Sequence, residues 1–229
     1  MAENSFQNLW KSFKWPLIFV AVITAVHAFQ VFGGISLGHF GIQPRQVGGL
    51  DGILFSPLLH GDWNHLIHNS FPILFLGAGL FALFRPIALK VVAWIWLMSG
   101  IWIWVAVTPQ VAFYVGNEPY IIPTIGASTL VFGLIFFLLF SGFFRRERQA
   151  IAMGLAVAFF YGGSILTGLF PEDPGISWEG HLFGAIAGLI LAWVYRKQAQ
   201  LPRKKYSWDF EPEDDREDPD AYWNYRKEF

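Results

Sequence analysis

The stretch GASTLVFGLIFFLLFSGFFRR, residues 126–146, is an apolar run closed by two arginines. Its length suits a membrane crossing, because ~20 apolar helical residues cover the ~30 Å of bilayer hydrocarbon. Its head is unusual: Ser128 lies between Gly126 and Gly133. A hydroxyl gains nothing from facing lipid, and glycine weakens a helix. These three residues call for a protein environment inside the membrane and a reason for close approach.

The rest of the chain reads the same way. Its 229 residues are 54% hydrophobic and only 14% charged, against roughly a quarter charged in soluble domains. Apolar runs predict an all-α polytopic membrane protein with six spans, over 16–34, 65–84, 88–107, 124–143, 150–170 and 180–195, the last being short. No internal repeat is evident, which argues against an inverted-repeat transporter. Residues 1–14 mix Phe6, Leu9, Trp10 and Phe13 with Lys11 and Lys14, and read as an interfacial segment rather than a cleaved signal. Residues 15–196 form the membrane core. Residues 197–229 are mostly acidic, with scattered aromatics, and are expected to be a disordered tail. The absence of cysteine excludes disulfides, thiol catalysis and cysteine metal sites.

Basic residues set the expected orientation. Lys11 and Lys14 precede the first span, Arg85 and Lys90 separate the second and third, and Arg145, Arg146 and Arg148 separate the fourth and fifth. Arg196, Lys197, Arg203, Lys204 and Lys205 follow the sixth. Six crossings bring all these groups to one side, so both termini are expected in the cytoplasm of a multi-pass protein, which in a bacterium would sit in the plasma or inner membrane.

No Asp or Glu falls inside the spans, so the polar residues at depth are few: chiefly His27, His65, His68, Asn69, Ser128, Thr129 and His181. Their depths follow from the ~1.5 Å rise per helical residue. Measured from Arg145, Arg196 and Arg85, Ser128 lies about 25 Å up, His181 about 22 Å and Asn69 about 24 Å. His65 is one turn higher. Polar groups from three spans thus share one level. Gly180, Gly184 and Gly188 repeat at four-residue spacing on the face that carries His181, a pattern that lets membrane helices approach closely. Gly126 and Gly133 flank Ser128 on the facing span.

A serine beside a histidine is an activated nucleophile. With no carboxylate at depth to orient the ring, a dyad is expected, with His181 held by packing against Phe132. Phe132 shares a helical face with Ser128. His65 and Asn69, four residues apart on one face, could donate to a developing oxyanion, as could the Ser128 backbone N–H at a helix start. Ser128 is expected to cap that helix. The preceding PYIIPTIG, residues 119–126, reads as extended chain descending into the protein, with Pro123 fixing the start. His27 is expected only to hydrogen-bond a neighbouring helix.

These residues resemble the rhomboid family of intramembrane serine proteases. HGDWNHLIHN, carrying His60, His65 and Asn69, is similar to its second-helix motif. GAST, carrying Gly126 and Ser128, is similar to its nucleophile motif, and GHLFGAIAG, carrying His181, Gly184 and Gly188, to its sixth-helix motif. The resemblance spans about residues 15–196. It implies cleavage in or near the transmembrane segments of single-span proteins, with membrane lipid as surroundings and no metal, cofactor or nucleic acid required. By resemblance Ser128 is the nucleophile and His181 the base. His65, Asn69 and the Ser128 amide form the oxyanion hole, Gly126 shapes the loop, and His60 is structural. Thr129 stands where many members have glycine. The first outer loop lacks the usual Trp-Arg pair, with Asp51 and Gly52 near its place. His68 lies outside the motif and is expected to pack or contact a neighbour. The fifth span and LFPEDPGISWEG, residues 169–180, match a lateral gate and a lid loop. Two rivals stand beside this reading. One is a catalytically silent rhomboid-like protein that binds transmembrane segments. The other is a transporter or metal protein using His60, His65, His68 and Asp62.

Overall fold

The computed structural model describes residues 2–116, 118–170 and 177–198. The expected acidic tail after Gln198 and the middle of the expected lid loop lie outside these residues. The chain runs α1 (Ala2–Gly33), α2 (Gly52–Phe55), α3 (Trp63–Leu83), α4 (Arg85–Ala106), β1 (Val111–Val115), β2 (Glu118–Ile121), α5 (Ser128–Arg145), α6 (Arg148–Gly168) and α7 (Trp178–Val194). Among the described residues, five helices are long and apolar enough to cross a membrane. The sixth expected span, α7, is apolar but has only 17 residues. The apolar segment of α1 starts at Trp10, and the helix continues back through the expected interfacial segment without a break.

Two expectations need correction. The fourth helix begins at Ser128 rather than 124, because Gly126 adopts φ +112°, a left-handed turn that no helix carries. Nor is the chain wholly helical. β1 and β2 pair antiparallel, with Tyr114 opposite Pro119 and Phe113 opposite Tyr120, the Phe113 and Tyr120 rings stacked at 4.7 Å. The β-branched and aromatic residues of VAFYV and a turn at Gly116, φ +63°, favour strands where hydropathy registers only apolar residues. The segment after β2 is extended, as expected, and Thr124 bridges to Ile42.

Burial ranks the helices. More than half of the apolar window of α5 is buried, 56%, against 17% in α1 and α6. α5 is therefore the central post, packed against α7, α6, α3 and α4. Its Leu134, Ile135, Phe137 and Leu138 are fully buried with Leu80 and Phe84 from the α3 end and Ile95 from α4. Outward-facing Phe29, Phe71, Phe75, Phe159 and Phe160 stay exposed, as residues meeting lipid should. The closest packing is glycine-made. A Cβ on Gly184 would collide with the Thr129 carbonyl, one on Gly188 with the Gly133 carbonyl, and one on Gly133 with Ile95. α7 thus lies backbone to backbone on α5.

The first outer loop is docked, not loose. Arg45 donates from its guanidinium to the Val107 carbonyl, while the Trp96 and Trp104 indoles donate to the carbonyls of Ile53 and Gln46. Short helical turns between Gly38 and Leu58 use up much of its length.

The glycine seam predicts an asymmetry. Gly188→Leu should lower the melting temperature by roughly 5–10 °C, because overpacking here moves backbone. Gly162→Ala, whose Cβ would meet nothing within 4 Å, should be neutral or slightly stabilising. Thermal unfolding of the two variants in detergent checks this.

Candidate active site

The site is built outward from Gly126. Its N–H donates to the Ser56 carbonyl at 2.9 Å, and its positive φ turns the chain into α5. Ala127, fully buried, is the boundary residue, and it makes no side-chain cap. Ser128 is the first helical residue, not the cap that the sequence suggests. A capping serine spends its hydroxyl on the helix; at the first helical position Ser128 keeps it for the cavity it lines. Its backbone N–H has no intrahelical partner, as at any helix start, and makes no other backbone bond among the described residues.

That cavity, about 570 Å³, lies between α3, α5, α6 and α7. Ser128, His181, His65, Asn69, Phe132 and His68 all line it. His181 is 8% exposed, and its ring stacks on Phe132 with centroids 4.2 Å apart and planes within 6°. The packing expectation for this ring is met, and a further contact orients it: Nδ1 lies 2.8 Å from the Gly168 carbonyl on α6. A carbonyl only accepts, so Nδ1 carries the proton and Nε2 is left with the lone pair. No hydrogen bond joins Ser128 Oγ to His181 among the described residues.

The α3 side is tied down by a chain of histidines. Asp62 caps α3 by accepting from the His65 N–H at 2.8 Å. The His65 ring packs on Gly126, where an added Cβ would sit 2.6 Å from ring atoms. The His65 carbonyl accepts from Asn69 Nδ2 at 3.0 Å, which holds one amide hydrogen in the helix and leaves the second for the cavity. Behind His65 stands His60, edge-on at 5.0 Å and only 2% exposed. The His60 carbonyl accepts from His27 Nδ1 at 3.1 Å and Gln30 Nε2 at 3.5 Å, so α1 is anchored to the loop before α3. His27 thus bonds the loop before α3 rather than a neighbouring helix as expected, and its ring sits edge-on to Trp63 at the start of α3.

Gly133, Gly184 and Gly188 lie at the α5–α7 seam below the cavity and contribute no chemistry to it. The whole contribution of α6 went unread in the sequence: Tyr161, Ser164 and the Gly168 carbonyl. Residues 161, 164 and 168 follow helical spacing and bring polar or small residues to one face of an apolar helix, a legible signal.

Comparison with known proteins gives the decisive finding. The Rhomboid domain family matches residues 48–198, a segment that contains every cavity residue named above. The chain belongs to the rhomboid family. A Mycobacterium tuberculosis protein described as uncharacterized is 39% identical over 186 residues, 78% of this chain and 72% of its own length. A Mycobacterium bovis protein so described matches to the same extent. Another from Mycobacterium leprae is 37% identical, over 78% of this chain and 69% of its own length. As a rhomboid with this many apolar helices, the chain is an integral membrane protein of a family whose members are typically intramembrane serine proteases. The family match leaves out α1, which His27 attaches to this rhomboid core.

The buried His60 ring makes the fold sensitive to pH. Burial, then the neighbouring His65 and His27, push its pKa down from 6.5 to about 4. The fold therefore favours the neutral ring: the stability this contributes is complete above about pH 6.5 and is lost as pH falls through about 4. The melting temperature of the wild type should fall over that window, and His60→Gln should show a shallower fall, measured by thermal unfolding across pH.

Proposed function

We propose that this rhomboid is an intramembrane serine endopeptidase that cuts peptide bonds in or near transmembrane segments of single-span proteins. Ser128 Oγ attacks the scissile carbonyl while His181 Nε2 takes its proton, then passes it to the leaving amine. Water activated by the same nitrogen releases the acyl group. The observation that carries this reading is the His181 ring, clamped between Phe132 and the Gly168 carbonyl so that its basic nitrogen is free in the cavity that Ser128 also lines. The backbone carbonyl does for the tautomer what a carboxylate does in a three-residue arrangement. Proton transfer needs Ser128 Oγ turned toward Nε2, a side-chain rotation that no capping bond opposes.

The oxyanion would be met by the unpaired Ser128 N–H, the free hydrogen of the Asn69 amide and the His65 ring. A cavity of this size lined by histidine, asparagine and serine holds the water that hydrolysis consumes. The rival metal reading lacks support: among the described residues no three His, Asp or Glu side chains gather as a metal-binding group. We further propose six crossings, α7 being the last, with both termini cytoplasmic. The basic residues at the ends of α1, α4, α5 and α7 support this orientation.

Purified protein should cut a reporter transmembrane substrate and take a fluorophosphonate label. Ser128→Ala and His181→Ala should each reduce cutting to background with the fold retained, and Ser128→Ala should lose the label. Asn69→Ala should cost roughly 100- to 1000-fold in rate. A folded wild type that neither cuts nor labels, yet binds transmembrane segments, would instead establish the silent rhomboid-like reading.

The clamp makes a separate prediction. A Cβ at Gly168 would strike the Phe132 ring and stand 3.2 Å from His181 Nδ1. Gly168→Ala should therefore lower kcat at least roughly 10-fold with little change in KM, read from steady-state cleavage.

A further inference from the structure

A second cavity, about 230 Å³, shares no lining residue with the active site. It is a groove between α1 and α4, floored by α3 and α5. Its walls are apolar apart from two indole N–H groups: that of Trp96 is already spent on the Ile53 carbonyl, and that of Trp15 belongs to the exposed rim. Nothing inside could hold water. The rim is open: Trp15, Ile18 and Leu89 are 44%, 45% and 55% exposed. Such a slot in a membrane protein takes an alkyl chain.

Its two walls run in the same direction. Pro16 packs on Gly77 while His27 meets Trp63, so α1 is antiparallel to α3. α4 follows α3 through a turn at Phe84 and returns, so α1 and α4 begin at the same end. On α1 the groove face is Trp15, Ile18, Phe19 and Val22, and one turn earlier the same face carries Lys11 and Lys14. On α4 the face is Leu89, Val92 and Trp96, and one turn earlier it carries Arg85. The Lys14 ammonium already lies 5.3 Å from the Trp15 ring at the rim. All three cations are exposed, and none forms a salt bridge among the described residues. The groove thus has an apolar slot leading to a positive mouth at the membrane surface.

We propose that this groove is a binding site for an anionic phospholipid of the leaflet that meets the N-terminal ends of α1 and α4. One acyl chain lies between the two helices, and the phosphate sits among Lys11, Lys14 and Arg85. Arginine offers a planar fork to phosphate, while the lysines act as point charges. The slot is about 10 Å long, seven residues of either helix, so it takes the upper part of a chain and leaves the rest in the bilayer. The site does not depend on the proteolytic reading, since no residue is shared.

The test uses the full chain, equilibrated with vesicles of equal phosphatidylglycerol and phosphatidylcholine, then extracted in mild detergent. Retained lipid is counted by native mass spectrometry. The wild type should retain phosphatidylglycerol about 10-fold over phosphatidylcholine. Lys14→Gln and Arg85→Gln should each lower that preference about 5-fold. Val92→Phe, which fills the slot, should lower retention of phosphatidylglycerol with the cations intact; Ile18→Phe serves where Val92→Phe does not fold. Equal retention of the two lipids by the wild type would overturn the proposal, as would retention indifferent to the filling variants. Dimers that dissociate on Val92→Phe, or cross-links from Lys14 to the acidic tail with no lipid retained, would assign the groove to another occupant and also overturn it.

Discussion

The backbone of α7 lies directly on the backbone of α5 at Gly184 and Gly188, where no side chain larger than hydrogen fits against the Thr129 and Gly133 carbonyls. Lipid provides no hydrophobic force to press two apolar helices together, so contact of this kind rests on dispersion between matched surfaces. That seam sets the rest. It holds the α7 face carrying His181 against the α5 face carrying Phe132. It also makes α5 the buried post on which α3, α4 and α6 lean.

Above the seam, three helices contribute one chemical unit. α5 supplies Ser128 at its first helical position and Phe132 one turn below. α7 supplies His181, and α6 supplies a backbone carbonyl rather than a side chain. That last contribution explains how a histidine can be oriented within the membrane without a buried carboxylate, whose desolvation would be costly there. A carbonyl is neutral, accepts one hydrogen bond and selects one tautomer. Gly168 also leaves room for the Phe132 ring, so one residue bears on both faces of the clamp.

On the other side, α3 is secured by contacts that pass from α1 to the loop around Gly126. His27 grips the His60 carbonyl, His60 lies edge-on to His65, and His65 packs on Gly126. The first link is a hydrogen bond donated by a ring nitrogen, and the other two are ring packing contacts. α1 lies beyond the matched family segment and is mostly exposed, yet it is connected to the loop at Gly126 through three histidines.

Much of this architecture was legible in the residues. Helix positions followed from apolar length, the seam from Gly184 and Gly188 at four-residue spacing, and the stacking of His181 on Phe132 from helical faces. Motif spacing carried the rhomboid family. Hydropathy could not register the pairing of β1 with β2, because strand and helix can be equally apolar and only β-branched and aromatic content separates them there. Nor could it set the start of α5, which depends on one glycine dihedral. The Gly168 carbonyl was beyond reach for a simpler reason: every residue has a carbonyl, and only the packing of α6 against α7 decides which one meets the histidine. The sequence by itself determined which side chains stand at one depth and which faces can touch. The tertiary structure alone decided which backbone groups complete them, because backbone chemistry is the same at every position and becomes specific only through place.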